Sequence, residues 1–319
     1  MSIDAIINMV IFMFKYTLDN KRYYTLNYYY KTKYNSKVFK VSLNANFGCP
    51  NKKNGGGCIY CLNGSGENRG MDLIEQFIKV RDIMSKKWPD SKYIGYFQAD
   101  TNTYAPLEVL KENYEKILKL DNVVGLNIAT RCDCLPNDVL DYLEELNKRT
   151  NLTIELGLQT IHETTSKLIN RGHTLKQFEN AVLELRKRNI NVVVHVINGL
   201  PYETKEMMLE TIKYVSHLDI QGIKIHMLFV LKGTELEKLY KKEKFHILTR
   251  EEYVDIVCDE LELLREDIVI NRITGDPDKN LVIEPTWLIK KFGVLNEIDK
   301  EMERRNSYQG IKYEDILDK

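Results

Sequence analysis

The 319-residue sequence predicts an α/β fold, a partial (β/α)6 barrel of TIM-like type, on three observations. Apolar runs of period two alternate with stretches whose apolar residues recur at three or four, the pattern of βα units. After the first strand the runs return about every 30 to 40 residues, which leaves room for one helix and one strand each and requires parallel strands. Polar and glycine-bearing segments sit just past the carboxyl ends of those strands, where barrels of this kind keep their working groups. Six units fit an incomplete barrel better than a closed eight-stranded one, and 43% hydrophobic residues suffice for its core.

Residues 1–20 read as an N-terminal extension, ordered or disordered. Its apolar run, 5–14, is about half the ~20 residues a membrane helix needs, and no basic flank or small-residue cleavage site marks a signal peptide. The barrel is expected over 21–240. It opens on 21–33, where tyrosines interleaved with lysine and arginine either stack on bases or cap the barrel by packing. Strands are expected at 38–43, 93–97, 123–129, 153–158, 192–197 and 223–231. Between them lie helical stripes such as Leu107, Leu110, Tyr114, Ile117 and Leu175, Phe178, Val182, Leu185. Residues 241–319 are expected as a helical C-terminal extension packing on the barrel. Within it Cys258 falls at helical spacing from Val254 and Leu261, as packing. Trp287 with Lys290, Lys291, Arg304 and Arg305 suits either an RNA-binding face or a solvated helix surface.

Charge excludes little. Forty-six basic and 46 acidic side chains cancel, so no global field favours nucleic acid or an anionic membrane, while a local basic patch stays open. Six cysteines, three of them clustered, with no secretory signal, point to a reducing cytoplasm.

The clustered cysteines carry the chemistry. Cys49, Cys58 and Cys61 stand as C-x8-C-x2-C in the segment 46–66, just past the first strand. A two-residue gap can turn two sulfurs to one metal centre, the third comes from across the loop, and Gly55, Gly56 and Gly57 accept positive φ. A structural zinc ion takes four protein ligands, whereas a 4Fe-4S cluster held by three keeps one iron open for a chelating small molecule. Further polar groups follow the other strands: Gln98, Asp100 and Thr101; Thr130, Arg131, Cys132 and Cys134; Glu155 and Gln159, then Asn170-Arg171-Gly172-His173; His195 and Asn198; Lys232-Gly233-Thr234. Cys132 and Cys134 are auxiliary ligands, hydrogen-atom donors or bystanders. His195 faces a ligand or fills the core, and Lys232 holds an anion or lies on a solvated rim.

This order of motifs, over about residues 21–311, resembles the radical S-adenosylmethionine (SAM) enzymes, and within them the Elp3-related YhcC/YtqA-like branch with its extended first cysteine gap. The resemblance implies a radical SAM partial barrel in which Cys49, Cys58 and Cys61 hold a 4Fe-4S cluster and SAM chelates the open iron. It implies that Gln98, Ala99 and Asp100 replace the glycines of the segment that binds the amino group of SAM, with Gln98, Asp100 and Thr101 as contacts. Gln159 then meets the ribose, Arg171 the carboxylate and His195 the ribose or adenine, with Thr130, Arg131, Glu155 and Asn198 as further cofactor contacts and Cys134 as a catalytic candidate. An electron from a donor such as flavodoxin or ferredoxin cleaves SAM to methionine and a 5'-deoxyadenosyl radical, which takes hydrogen from the substrate. For substrate the resemblance implies tRNA, with the C5 side chain of the wobble uridine converted from carboxymethylaminomethyl to aminomethyl. A small metabolite is the alternative substrate. Outside catalysis, the alternative is a zinc-stabilised nucleic-acid-binding module, which requires a fourth ligand. No stretch resembles the acetyltransferase half of Elp3, so acetyl transfer is not expected, and no membrane association is expected.

Overall fold

The computed structural model describes residues 14–19, 21–62, 68–287 and 291–315. Most of the expected extension over 1–20 and the end of the cysteine loop, 63–66, lie outside the described residues, as does Lys290. The elements run α1 (Leu26–Tyr34), β1 (Val38–Leu43), α2 (Pro50–Gly55), α3 (Leu73–Lys87), β2 (Lys92–Phe97), α4 (Leu107–Leu118), β3 (Val123–Thr130), α5 (Asn137–Arg149), β4 (Asn151–Gln159) and α6 (Glu163–Leu168). They continue as α7 (Leu175–Lys187), β5 (Asn191–Asn198), α8 (Lys205–Ser216), β6 (Gly222–Met227), β7 (Val230–Leu231), α9 (Glu235–Glu243), α10 (Arg250–Leu263), β8 (Val269–Arg272), β9 (Val282–Glu284) and α11 (Lys291–Arg304).

The alternation is the α/β class expected, and five of the six expected strands match within two residues at either end. The sixth does not. The run expected over 223–231 stops at Met227, because the Leu228 N–H donates to the Asn198 carbonyl and draws the chain out of line. Its remainder becomes β7, antiparallel to β9, with Val230 opposite Glu284. A seventh strand, β8, pairs parallel with β6, so the sheet order is β1-β2-β3-β4-β5-β6-β8, with β1 and β8 at its two ends. Residues 241–319 therefore contribute strands where helices alone were expected. Four residues of β8 are too short a run to announce a strand.

Two compact units divide the chain. The first, Tyr30–Gln159 with Ser166–His195, holds β1 to β4 and most of β5. Its strands pair in parallel register, Ser42 opposite Tyr96, Tyr96 opposite Asn127, and Ala129 opposite Glu155. Because side chains alternate along a strand, one face carries Val41, Leu43, Phe97, Leu126, Ile128, Ile154 and Leu156, all buried. Helices α3, α4, α5 and α7 pack against these strands. The stripe Leu110, Tyr114 and Ile117 is wholly buried, as its spacing predicts. Thr174 and Gln177 close a reciprocal capping box that fixes where α7 begins. The opposite face is polar, carrying Lys40, Ser42, Tyr96, Asn127 and Glu155.

The second unit, Thr160–Thr165 with Val196–Lys319 and the chain up to Tyr29, is built around α10. That helix packs on α8 and α11 and buries Tyr253, Ile256, Val257 and Leu261. Cys258 is fully buried there, so its helical spacing did mark packing. Arg305, one of the cations considered for RNA, is instead tied to Asp255, Asp259, Glu262 and Glu301, and Arg304 pairs with Glu301. Trp287 donates its indole N–H to the Leu248 carbonyl at 3.1 Å and lies against Tyr253. The tyrosines near the start spend their faces on one another: Tyr16 stacks on Tyr24 at 4.4 Å, and Tyr28 and Tyr29 meet Tyr24 edge-on.

Candidate active site

The cysteine loop is shaped by its backbone before any ligand is considered. After β1, Gln76 brackets Asn44, accepting from its N–H at 2.8 Å and donating to its carbonyl at 3.0 Å. Asn46 and Gly48 then take φ of 57° and 77° and reverse the chain. Cys49 caps the short helix α2, whose first residue is Pro50, and the Gly57 N–H closes back on the Asn51 carbonyl at 3.0 Å. Cys58 and Cys61 follow in a tight turn, the Cys61 N–H donating to the Cys58 carbonyl at 3.0 Å. The three cysteines are free thiols, none fully buried.

The electrostatics favour thiolate at Cys58. The Cys58 thiol is held down to about 6, first by a hydrogen bond from Cys61, with Tyr60, the Arg131 charge and Asn51 adding to it. Cys61 is pushed up as the donor of that pair. Arg131 feels the charges of both Cys49 and Cys58, which sets a guanidinium beside two of the three sulfurs. Among the described residues no three His, Cys, Asp or Glu side chains converge on a single ion. Three free cysteines on one loop are the donor set a 4Fe-4S cluster takes, in which each thiolate holds a different iron.

Around this loop the expected residues fall as follows. Thr101 is buried and its N–H donates to the Gly48 carbonyl at 2.9 Å, so the segment after β2 braces the cysteine loop. Asp100, at φ 63°, faces Lys52 at 3.6 Å and Arg69 at 3.8 Å. Gln98 is exposed and accepts from Ser42 Oγ at 2.9 Å. Thr130 lies 2.6 Å from Thr103, whose hydroxyl also reaches the Cys134 carbonyl. Burial pushes the thiols of Cys132 and Cys134 up to about 12, so both stay protonated at neutral pH.

Arg131 grips Asp133 with two nitrogens, at 2.9 and 2.8 Å, and donates to the carbonyls of Arg171 and Gly172. Arg171 is 1% exposed, and its guanidinium donates to the Leu158 and His173 carbonyls at 2.7 and 3.1 Å, bracing the end of β4. Burial, with the charges of Arg171 and Arg131, drops His173 to about 4, so it is neutral. Gln159, at φ 62°, folds its amide over Gly157, where a Cβ would stand 2.4 Å from it.

On the polar face Glu155, wholly buried, gathers three partners from three strands. Lys40 Nζ lies 3.0 Å from Oε1, Asn127 Nδ2 donates to the same oxygen at 2.9 Å, and His195 Nε2 lies 3.0 Å from Oε2. His195 is thus part of a buried polar network, and Lys40 and Asn127, which the strand pattern hid, belong to it. Asn198 lies in the second unit. Its amide donates to Glu260 at 2.9 Å, and with Gly199, Met227, Leu228, Leu248 and Pro285 it lines a small cavity. Lys232 reaches the Asn280 carbonyl at 3.4 Å.

Comparison with known proteins agrees with this donor set. The radical SAM superfamily model matches residues 43–215, and the radical SAM C-terminal domain matches 220–304. The chain is 52% identical over 304 residues to YtqA of Bacillus subtilis, covering 93% of this chain and 94% of that one. It is 30% identical over 275 residues to YhcC of Escherichia coli K12, covering 84% and 88%. A tRNA uridine(34) acetyltransferase of Methanocaldococcus jannaschii is 25% identical over 237 residues, 73% of this chain and 41% of that one. Among solved structures, Elp3 of Methanocaldococcus infernus superposes with a TM-score of 0.68 at 18% identity, over 86% of this chain and 64% of that one, which shows a shared fold. No helix among the described residues is long and apolar enough to cross a membrane. Members of the superfamily bind a 4Fe-4S cluster and SAM, and the zinc-module alternative falls with the match: the chain belongs to the radical SAM superfamily and is a radical SAM enzyme of the Elp3-related branch.

Proposed function

We propose that this enzyme acts on the wobble uridine of tRNA, converting a carboxymethylaminomethyl group at C5 to aminomethyl. The observation that carries the reading is the sequence likeness, over 73% of this chain, to an enzyme named for uridine 34 of tRNA. The polar sheet face of the first unit, with Lys40, Asn127, Glu155 and His195, supports it by suiting a charged polar side chain better than an apolar one.

Cys49, Cys58 and Cys61 hold the cluster in this reading, and Gln98, Asp100, Gln159, Arg171 and His195 are the candidates around SAM. When bound, the pair supplies a one-electron reductive cleavage of SAM that yields a hydrogen-abstracting carbon radical. The chain's own share is position and dryness. Arg171 and Arg131 fix the backbone of 158 and 171–173, while burial keeps Cys132 and Cys134 protonated. Loss of the carboxymethyl group as glyoxylate consumes one water and removes two electrons from the side chain. The reductive cleavage that the bound cofactors would supply takes up those two electrons, so an external donor's priming electron would be returned.

The test is anaerobic. Reconstituted, reduced protein is given SAM with and without bulk tRNA from a strain lacking this protein, and 5'-deoxyadenosine and glyoxylate are measured. The expected result is both products rising together with that tRNA. If 5'-deoxyadenosine forms but is indifferent to the tRNA, the substrate is a small metabolite and the tRNA reading is wrong.

A further inference from the structure

The cysteine loop is held from outside by a pair of asparagines that the spacing of the cysteines does not reveal. Asn51, two residues after Cys49, holds its amide between α2 and residues 170–172. Its Nδ2 lies 3.6 Å from Cys58 Sγ and donates to the Asn170 carbonyl at 2.7 Å, with the Arg171 carbonyl at 3.4 Å. Asn170 answers in the opposite direction: its own Nδ2 donates to the Gly55 carbonyl at 2.6 Å and to the Gly57 carbonyl at 2.7 Å. A main-chain bond from the Ile59 N–H to the Ile169 carbonyl, at 3.1 Å, completes the seam. The approach is close enough to dictate composition. Gly172 sits at φ 77°, and a Cβ there would lie 2.6 Å from Asn51 Oδ1.

We propose that Asn51 is a positioning residue for the iron–sulfur cluster, its amide linking the Cys58 ligand to the backbone of residues 170–171 and setting the cluster's reduction potential, while Asn170 fixes the loop that carries it. Hydrogen bonds to ligand sulfur stabilise the more electron-rich, reduced cluster and so raise its potential. A short side chain with two N–H groups is needed to reach a sulfur and a carbonyl at once. Aspartate keeps the shape of Asn51 but faces the Asn170 carbonyl with a second acceptor, and alanine keeps neither bond. The Arg171 carbonyl receives Asn51 on one side and Arg131, at 2.8 Å, on the other. The residue expected to meet the SAM carboxylate is thereby locked to the loop expected to hold the iron. This inference rests on the superfamily assignment and is independent of the substrate.

The experiment compares reconstituted wild type with N51A, N51D and N170A. Midpoint potentials come from anaerobic titration followed by electron paramagnetic resonance without SAM, and iron loss is timed against a chelator. The expected result is a midpoint more negative in N51A than in wild type and more negative still in N51D. N170A keeps the wild-type midpoint and loses iron several-fold faster. Iron-free N51A and N51D that melt like iron-free wild type yet take up no cluster also support the proposal, since the seat is then lost without the fold. Wild-type potential together with wild-type iron retention in N51A overturns it.

Discussion

A carboxyl group with no exposed surface must either be paired with a cation or keep its proton, and Glu260 on α10 does the latter. Its one hydrogen bond among the described residues comes from the neutral Asn198 amide, and burial raises its pKa to about 8. A folded-state value above the unfolded 4.5 means the folded protein holds this proton more tightly. Glu260's share of stability is therefore complete below about pH 4.5, declines as pH rises, and is gone above about 8. The whole span is on the order of 5 kcal/mol. E260Q keeps an acceptor for Asn198 and removes the titration. Urea unfolding at pH 5.5 and 8.5 is expected to show wild type losing stability between the two while E260Q loses far less. Parallel losses would mean Glu260 is not the titrating group. The same residue shows where the sequence falls silent. The Cys49, Cys58, Cys61 trio declares itself by spacing alone, but a glutamate on an amphipathic helix reads as solvated until Asn198 is seen facing it.

At the scale of an element, β2 illustrates both what a local pattern records and what it omits. Alternation along β2 states which side chains face the helices, and the stripe on α4 states the reciprocal, so both elements were legible from the residues that bury against each other. What alternation does not state is how close the two come. Gly95 lies where a Cβ would stand 2.5 Å from Ile117 Cγ2 and 2.9 Å from Leu126 Cδ2, whereas at Gly125 it would meet the Asn151 carbonyl at 2.3 Å. G95A crowds side-chain ends that can turn aside, at about 1–3 kcal/mol. G125A presses on backbone held in the sheet and is expected to cost more. Chemical denaturation of the two variants checks the order; a silent G125A would show that β3 and β4 can part to admit a methyl. The strands the sequence missed, β8 and β9, are four and three residues long and, like the two-residue β7 that it merged with β6, take their identity from partners distant in the chain. The asparagine seam was hidden for the same reason, since residues 51 and 170 share no local pattern.

For the molecule as a whole, charge sets how a polyanion can be met. Basic and acidic side chains number 46 each, and many of the described lysines and arginines already face carboxylates one helical turn away, as Lys111, Lys116, Lys187, Lys238 and Lys241 do. The arginine cluster considered for phosphate, around Arg305, is consumed by α10 and α11. On the proposed tRNA substrate, counterion release should then involve roughly two or three phosphates, with affinity falling roughly ten- to fifty-fold between 50 and 200 mM salt. Proteins that bind through a broad basic face lose about a thousand-fold or more over that range. Recognition would accordingly lean on the shape of the anticodon loop and on contacts to the modified base. Filter binding of the undermodified tRNA across that salt range is the measurement. A slope equivalent to six or more phosphates would locate a basic surface that these ion pairs conceal, and would shift recognition from the base to the backbone.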